Sequence, residues 1–290
     1  MQIGRTPSTI LENYHNLRIS MESPIVTLTT DWGYHDFFAG MVKGVLYSRI
    51  PNVRVVDITH GIDRFQLGSA IHVVRYACMG FPAGTIHIID VTAAGFDNNP
   101  YIVAEYDGQY FICMDNGLPH VLFGADASHA VEIDVGDYRE NQFRTFVAYD
   151  IYCKVAVMLA SGAKMTDIGT PIKEFCPYMP IEPIYKNNLL KIYVVYIDDY
   201  GNVTLNITYE KFKELKGDRK FELWVREVKI TEVVQDYSQA RVAGSNKNAL
   251  ILTVSATGYL QLAMRQYSAA QYFGAGLEVQ ESVVVRFTDK

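Results

Sequence analysis

Four prolines fall within thirteen residues, at Pro171, Pro177, Pro180 and Pro183 of "PIKEFCPYMPIEP", and no other stretch constrains the fold as strongly. Proline lacks a backbone donor and fixes φ, so neither a helix interior nor a central strand runs through such a segment. The chain is expected to divide there, with a linker over 171–188.

Upstream, strand-like runs alternate with helical periodicities. "IVTLTT" reads as a buried strand, and "DFFAGMVKGVLYSRI", stopped by Pro51, reads as a helix with apolar residues recurring at three and four. "VRVVDIT" is a second strand, "FQLGSAIHVVRYACMG" a second helix closed by Gly80, and "TIHIID" a third strand. "YIVAEYDGQYFICMD" reads as a hairpin turning at Asp107 and Gly108, and "AYDIYCKVAVMLASG" as a helix ending at Gly162. This alternation predicts an α/β domain over 23–170, Rossmann-like, with a mostly parallel sheet and helices on both faces.

Downstream, "LLKIYVVYID", "NVTLNIT", "KFELWVREVKI", "NALILTVSA" and "SVVVRFT" are short β-rich segments separated by turns. They predict an antiparallel β-barrel or sandwich over 189–290. Residues 1–22 read as an N-terminal extension.

A 290-residue chain that is 49% hydrophobic has material for two cores. Its net charge of −6, with no basic cluster, argues against a nucleic-acid partner, because phosphate binding depends on clustered Lys and Arg. The N-terminus lacks the apolar centre of a signal peptide, and no apolar run reaches membrane-spanning length, so a cytoplasmic protein with no membrane partner is expected. Four scattered cysteines, without a CxxC pair, read as reduced thiols in apolar surroundings. Neither GxGxxG, Walker A, HExxH, GxSxG nor an EF-hand loop occurs, and the histidines show no metal-ligand spacing. No metal and no separate cofactor are therefore expected.

One stretch carries more than fold information. "TTDWGYHDFFAG" places Asp31 and Asp36 at the exit of the first strand, around Gly33. Asp36 stands where a helix from Phe37 takes its N-cap, and Asp31 suits a turn. A ligand site is the alternative, because open α/β sheets bind ligands outside the carboxyl ends of their strands. These residues alone leave both readings open.

Three stretches in register, "TLTTDWGYHDFFAGMVKG", "VVDITHGIDRF" and "YIDDYGNVTLNI", resemble the family of S-adenosylmethionine (SAM) hydroxide adenosyltransferases and the related fluorinases and chlorinases. "FPAGTIHIID", "MDNG", "TFVAYD" and "TGYLQLAMRQYSAA" extend the resemblance over roughly 24–287. It implies displacement of methionine from C5′ of SAM by water or halide, in homotrimers whose sites lie between subunits. By resemblance Asp31 accepts the ribose hydroxyls, Asp36 and Asp198 hold the methionine amino group, Asn202 meets adenine, and Phe65 and Phe146 form apolar walls. SAM or adenosine is the implied small-molecule partner, and carboxylates suit its sulfonium and ammonium charges. His60 of "DITH" is read as structural.

The chain departs from the family at the water-activating group. Hydrolases of the family carry an Asp in VDPGVGTxR, with the Arg seven residues on, and a His in TFHGRD. Here the first stretch is "IDVTAAGFDNN", which keeps Asp90 but has Asp97 at the Arg position. The second is "TFVAYD", with Val147, Ala148 and Tyr149 at the His, Gly and Arg positions. Ala148 also stands at the fluorinases' halide-site Ser, so halogenation is not expected. The resulting expectation is SAM hydrolysis to adenosine and L-methionine with Asp90 as base; the alternative is a SAM or adenosine binder without turnover. Tyr149, Asp97 and His87 are candidate substitutes for the missing groups.

Overall fold

The computed structural model describes residues 23–92, 99–138, 145–239 and 249–288. The expected extension over 1–22 and the Asp97 position lie outside them. The chain forms two compact units that divide between Met179 and Pro180.

In the first unit the chain runs β1 (Ile25–Thr30), α1 (Phe38–Arg49), β2 (Arg54–Thr59), α2 (Leu67–Ala77), β3 (Ile86–Asp90), β4 (Tyr101–Tyr106) and β5 (Gln109–Met114). It continues through α3 (Leu118–Phe123), β6 (Ala130–Ile133), a π-helical turn Ala148–Tyr152 leading into α4 (Cys153–Ala160), and β7 (Gly169–Pro171). The sheet order is β2-β1-β3-β5-β4-β6-β7.

The β2-β1-β3-β5 half is parallel, whereas β4, β6 and β7 pair antiparallel. The sheet is thus mixed rather than mostly parallel. Hairpin β4–β5 reverses direction through Asp107 and Gly108, both at positive φ as a tight two-residue turn requires. The chain then adds two short antiparallel strands, β6 and β7.

Alternate residues of the inner strands feed opposite faces, as the two-residue strand period dictates. Val26, Leu28, Ile86 and Ile88 pack with Val42 and Leu46 of α1 and with α4. Ile89, Ile102, Phe111 and Cys113 pack with Ile71 and Val74 of α2. Helices therefore cover both faces, and each fully buried Leu or Ile contributes roughly 1.5–3 kcal/mol of transfer free energy. All four cysteines are free, and burial holds their thiols above the ordinary range.

The second unit holds β8 (Ile184–Lys186), β9 (Leu189–Ile197), β10 (Val203–Thr208), α5 (Tyr209–Lys216), β11 (Lys220–Val225) and β12 (Val228–Ile230), followed by β13 (Ile251–Val254), β14 (Tyr259–Ala263) and β15 (Ser282–Thr288). The strands pair antiparallel in the order β12-β11-β15-β9-β10-β14-β13. Val233, just past β12, bridges to Leu252 of β13. The two ends of the strand path thereby meet, and the sheet is barrel-like. Helix α5 was not expected; Thr208 caps it by accepting from the Lys211 N–H at 3.2 Å, and Phe212 is its one buried side chain.

Candidate active site

Strands β2 and β3 flank β1 on opposite sides, and all three run parallel. The strand order reverses at this point, where a crevice opens beyond the carboxyl ends. Register pairs Thr29 with Thr59 and Thr30 with Asp90, so the three strands end level. Asp31 follows at once.

Asp90 closes β3 and is only 7% exposed. Its Oδ2 accepts the Trp32 indole N–H at 2.7 Å, and its Oδ1 has no partner among the described residues. Burial pushes the carboxyl up to about 7; the Trp32 bond opposes the rise, and the neighbouring charge of Asp31 adds to it. Near neutral pH the group is thus divided between acid and base, the condition in which a general base works well.

Asp31 is partly buried and anchors two turns. Its Oδ2 accepts the N–H of Phe65 at 3.3 Å and that of Thr92 at 3.2 Å. Both donors are non-glycine residues in the left-handed region, at φ 66° and 54°, where L side chains are uncommon. One carboxylate therefore holds the chain beyond β2 and the chain beyond β3 around the same point.

Aromatic rings complete the wall. Trp32 stacks on His60 with centroids 5.7 Å apart and meets Phe146 edge-on at 5.1 Å; Phe38 meets Phe146 at 4.9 Å. His60 is buried, with Nδ1 2.7 Å from Thr30 Oγ1 and Nε2 3.2 Å from Asp57 Oδ1. It acts as a brace for the indole that holds Asp90.

Asp31, Trp32, Phe38, Phe65, Asp90, Thr92, Thr145, Phe146 and Val147 line one cavity of about 150 Å³. Ligand sites commonly span ~300–1,000 Å³, so this cavity has room for only part of a larger ligand. Among the described residues its lining carries two carboxylates and no cationic side chain. A positively charged ligand meets no like charge from these lining residues.

Four of the expected site residues, Asp31, Phe65, Asp90 and Phe146, come together around this cavity. Asp36 does not: it is exposed and outside the lining. Nor does it cap α1. The boundary residue is Phe37, already in helical geometry at φ −79°, with no side-chain cap bond. Asp36 is one residue too early to reach the first free amides.

Asp198 and Asn202 belong to the second unit. Asp198 Oδ1 accepts the N–H groups of Tyr200 and Asn202 at 3.0 and 2.9 Å, while Oδ2 accepts Asn202 Nδ2–H at 2.9 Å. Gly201 sits between them at φ 76°, where an added Cβ would lie 2.0 Å from Ser268 Oγ. The carboxylate thus organises its own turn.

Two candidate substitutes also lie outside the lining. His87 is fully buried, each ring nitrogen 2.6 Å from a partner, Thr27 Oγ1 and Gln109 Oε1, and burial lowers its pKa to about 4. Tyr149 stacks parallel to Phe146 at 6.3 Å with its face partly exposed. Sequence reasoning missed Trp32, Phe38, Thr92 and Thr145. Trp32 was findable as the neighbour of Asp31, and Thr92 as the residue at a glycine position of VDPGVGTxR.

Residues 26–169 match the model of the SAM hydroxide adenosyltransferase N-terminal domain, and residues 192–282 that of its C-terminal domain. The (R)-S-adenosyl-L-methionine hydrolase of Methanocaldococcus jannaschii is 23% identical over 251 residues, which cover 82% of this chain and 87% of that one. The (R)-S-adenosyl-L-methionine hydrolase of Salinispora arenicola is 28% identical over 195 residues, 64% of this chain and 73% of that one. The solved structure of an uncharacterized conserved protein from Thermotoga maritima superposes with a TM-score of 0.75 at 23% identity, over 91% of this chain and 99% of that one, and so shares the fold. Both domain models match in order and span both units, so the chain belongs to the SAM hydroxide adenosyltransferase family.

Proposed function

We propose that this protein hydrolyses SAM at C5′, releasing adenosine and L-methionine, with Asp90 as general base. The observation that carries the reading is Asp90 itself: buried, pushed up to about 7, tied at one oxygen by Trp32, and lining a cavity with no cationic side chain among the described residues.

The water oxygen bonds to C5′ as the C5′–S bond breaks. The bonding pair returns to sulfur, which becomes the neutral thioether of methionine, and the water's proton passes to Asp90 and on to solvent. Carboxylates near a sulfonium favour the bound ground state at least as much as a transition state in which that charge is dispersing. They account for binding, whereas rate requires the base and the alignment of water with C5′ and sulfur. A positioned base contributes about 10²–10⁴ in rate.

In this reading Asp31 accepts the ribose hydroxyls, while Phe65 and Phe146 wall the reacting centre. Asp36, Asp198 and Asn202 enter on the family motifs alone, and the homotrimer on the resemblance alone. The names of the relatives support the (R)-sulfonium epimer of SAM as substrate. Purified protein given a mixture of sulfonium epimers should consume the (R) form and release adenosine and methionine in equal amounts. No product above the buffer control would exclude hydrolysis.

One observation favours a second reading, SAM binding without turnover. Val147, at the family's His position, is 4% exposed and presents an apolar side chain to the cavity. Calorimetry showing binding in a sample that releases no adenosine would select this reading.

A further inference from the structure

Thr92 combines two costly features. Its backbone is left-handed, at φ 54°, where a β-branched residue is an outlier and glycine is at ease. Its hydroxyl Oγ1 is buried and makes no hydrogen bond among the described residues, a loss that protein interiors seldom tolerate. Glycine, the residue of the VDPGVGTxR pattern at this position, would remove both costs. It would also keep the backbone N–H that Thr92 donates to Asp31. Backbone strain that persists without a structural return is characteristic of functional positions.

A second unpaired atom lies two residues away in sequence. Asp90 Oδ1 is buried without a partner among the described residues, and Asp90 and Thr92 line the same cavity. Trp32 spends its side-chain donor on Asp90 Oδ2, and Phe38, Phe65, Phe146 and Val147 offer the cavity apolar surface. A carboxylate oxygen accepts, while a hydroxyl both donates and accepts. A water held between them would donate a proton to Asp90 Oδ1 and accept the Thr92 hydroxyl proton. Its remaining lone pair is then free for an electrophilic carbon.

We propose that Thr92 Oγ1 is a positioning hydroxyl that, together with Asp90 Oδ1, holds the attacking water, in the role left open by Val147 and Asp97 at the family's His and Arg positions. The catalytic consequence rests on the hydrolase reading; the water site does not. When the C5′–S bond breaks, the proton directed at Asp90 Oδ1 transfers to it, and Thr92 keeps its own proton.

The test combines high-resolution crystal structures of wild type and Thr92→Val with the turnover and SAM affinity of Thr92→Val, Thr92→Ser and Thr92→Gly. In the wild type, a water should lie within about 3 Å of both atoms, and it should be lost in Thr92→Val. Turnover in Thr92→Val should fall roughly 10–100-fold while the Kd for SAM stays within about threefold, and Thr92→Ser should recover most of the loss. Thr92→Gly relieves the backbone and should lose the same rate, which covers the case in which valine misfolds. Wild-type turnover in Thr92→Gly, or no water shared by the two atoms, overturns the proposal. If the wild type releases no adenosine, the hydrolase reading fails, and the crystallographic water alone upholds or overturns the positioning claim.

Discussion

Trp32 Nε1–H donates to Asp90 Oδ2 at 2.7 Å, joining the first residue beyond Asp31 to the last residue of β3. Among the influences on Asp90 it is the one that favours the charged form. Trp32→Phe keeps a ring against His60 and Phe146 but removes the donor. The pH profile of kcat/KM, which reports the free enzyme's base, should show its rising limb near pH 7 in the wild type and at higher pH in the variant. An unmoved limb would separate the indole from the base.

Asp31→Asn should shift the same limb the other way, because the Asp31 charge raises the Asp90 pKa. The amide keeps an oxygen to accept the Phe65 and Thr92 N–H groups. Loss of a charged acceptor for the ribose hydroxyls should weaken SAM binding by roughly 10–100-fold, from about 1.5–3 kcal/mol for bonds to a charged group. Paired pH profiles and calorimetry read both effects.

Asp90→Asn should reduce turnover by about 10²–10⁴-fold. Its stability effect depends on pH in a definite sense. The folded pKa of about 7 lies above the ordinary 3.8, so the fold binds this proton more tightly than the unfolded chain does. The stabilising contribution is fully present below about pH 4 and is lost as pH rises through 7. The wild type should therefore fall behind Asp90→Asn in unfolding free energy between pH 5 and pH 8, by an amount on the order of 4 kcal/mol at the upper end, with Tm following in the same direction. A Tm difference independent of pH would contradict the buried, raised carboxyl.

Phe146→Ala removes the ring that Trp32 and Phe38 both meet edge-on. Phe146 is half-buried, so the cost should be about 2 kcal/mol, below the 3–5 kcal/mol of a fully buried Phe. Urea denaturation measures it. Turnover should fall further than stability alone explains, because water gains access to Asp90.

The sequence showed the strand exits and the β4–β5 hairpin because their signals are local: apolar runs, and Asp107 followed by Gly108. It missed β6 and β7, which at four and three residues are too short for a two-residue period to show. In α5 a single buried residue, Phe212, was too little to reveal a helix. At the site, Asp31 and Asp90 were legible as acids at strand ends. The Trp32–Asp90 bond was not, because it joins residues 58 positions apart through sheet register. Asp36 was misplaced by one residue at a helix boundary, a distance within which capping is won or lost. The distinction of Thr92 lies in a backbone angle that no residue type announces.

The most direct test of the account is hydrolysis of SAM in ¹⁸O-labelled water, with the adenosine analysed by mass spectrometry. Direct displacement at C5′ predicts one ¹⁸O in the 5′-hydroxyl of every adenosine formed, methionine in equal amount without label, and loss of both products in Asp90→Asn. Adenosine without the label, or no adenosine above the Asp90→Asn control, would contradict it.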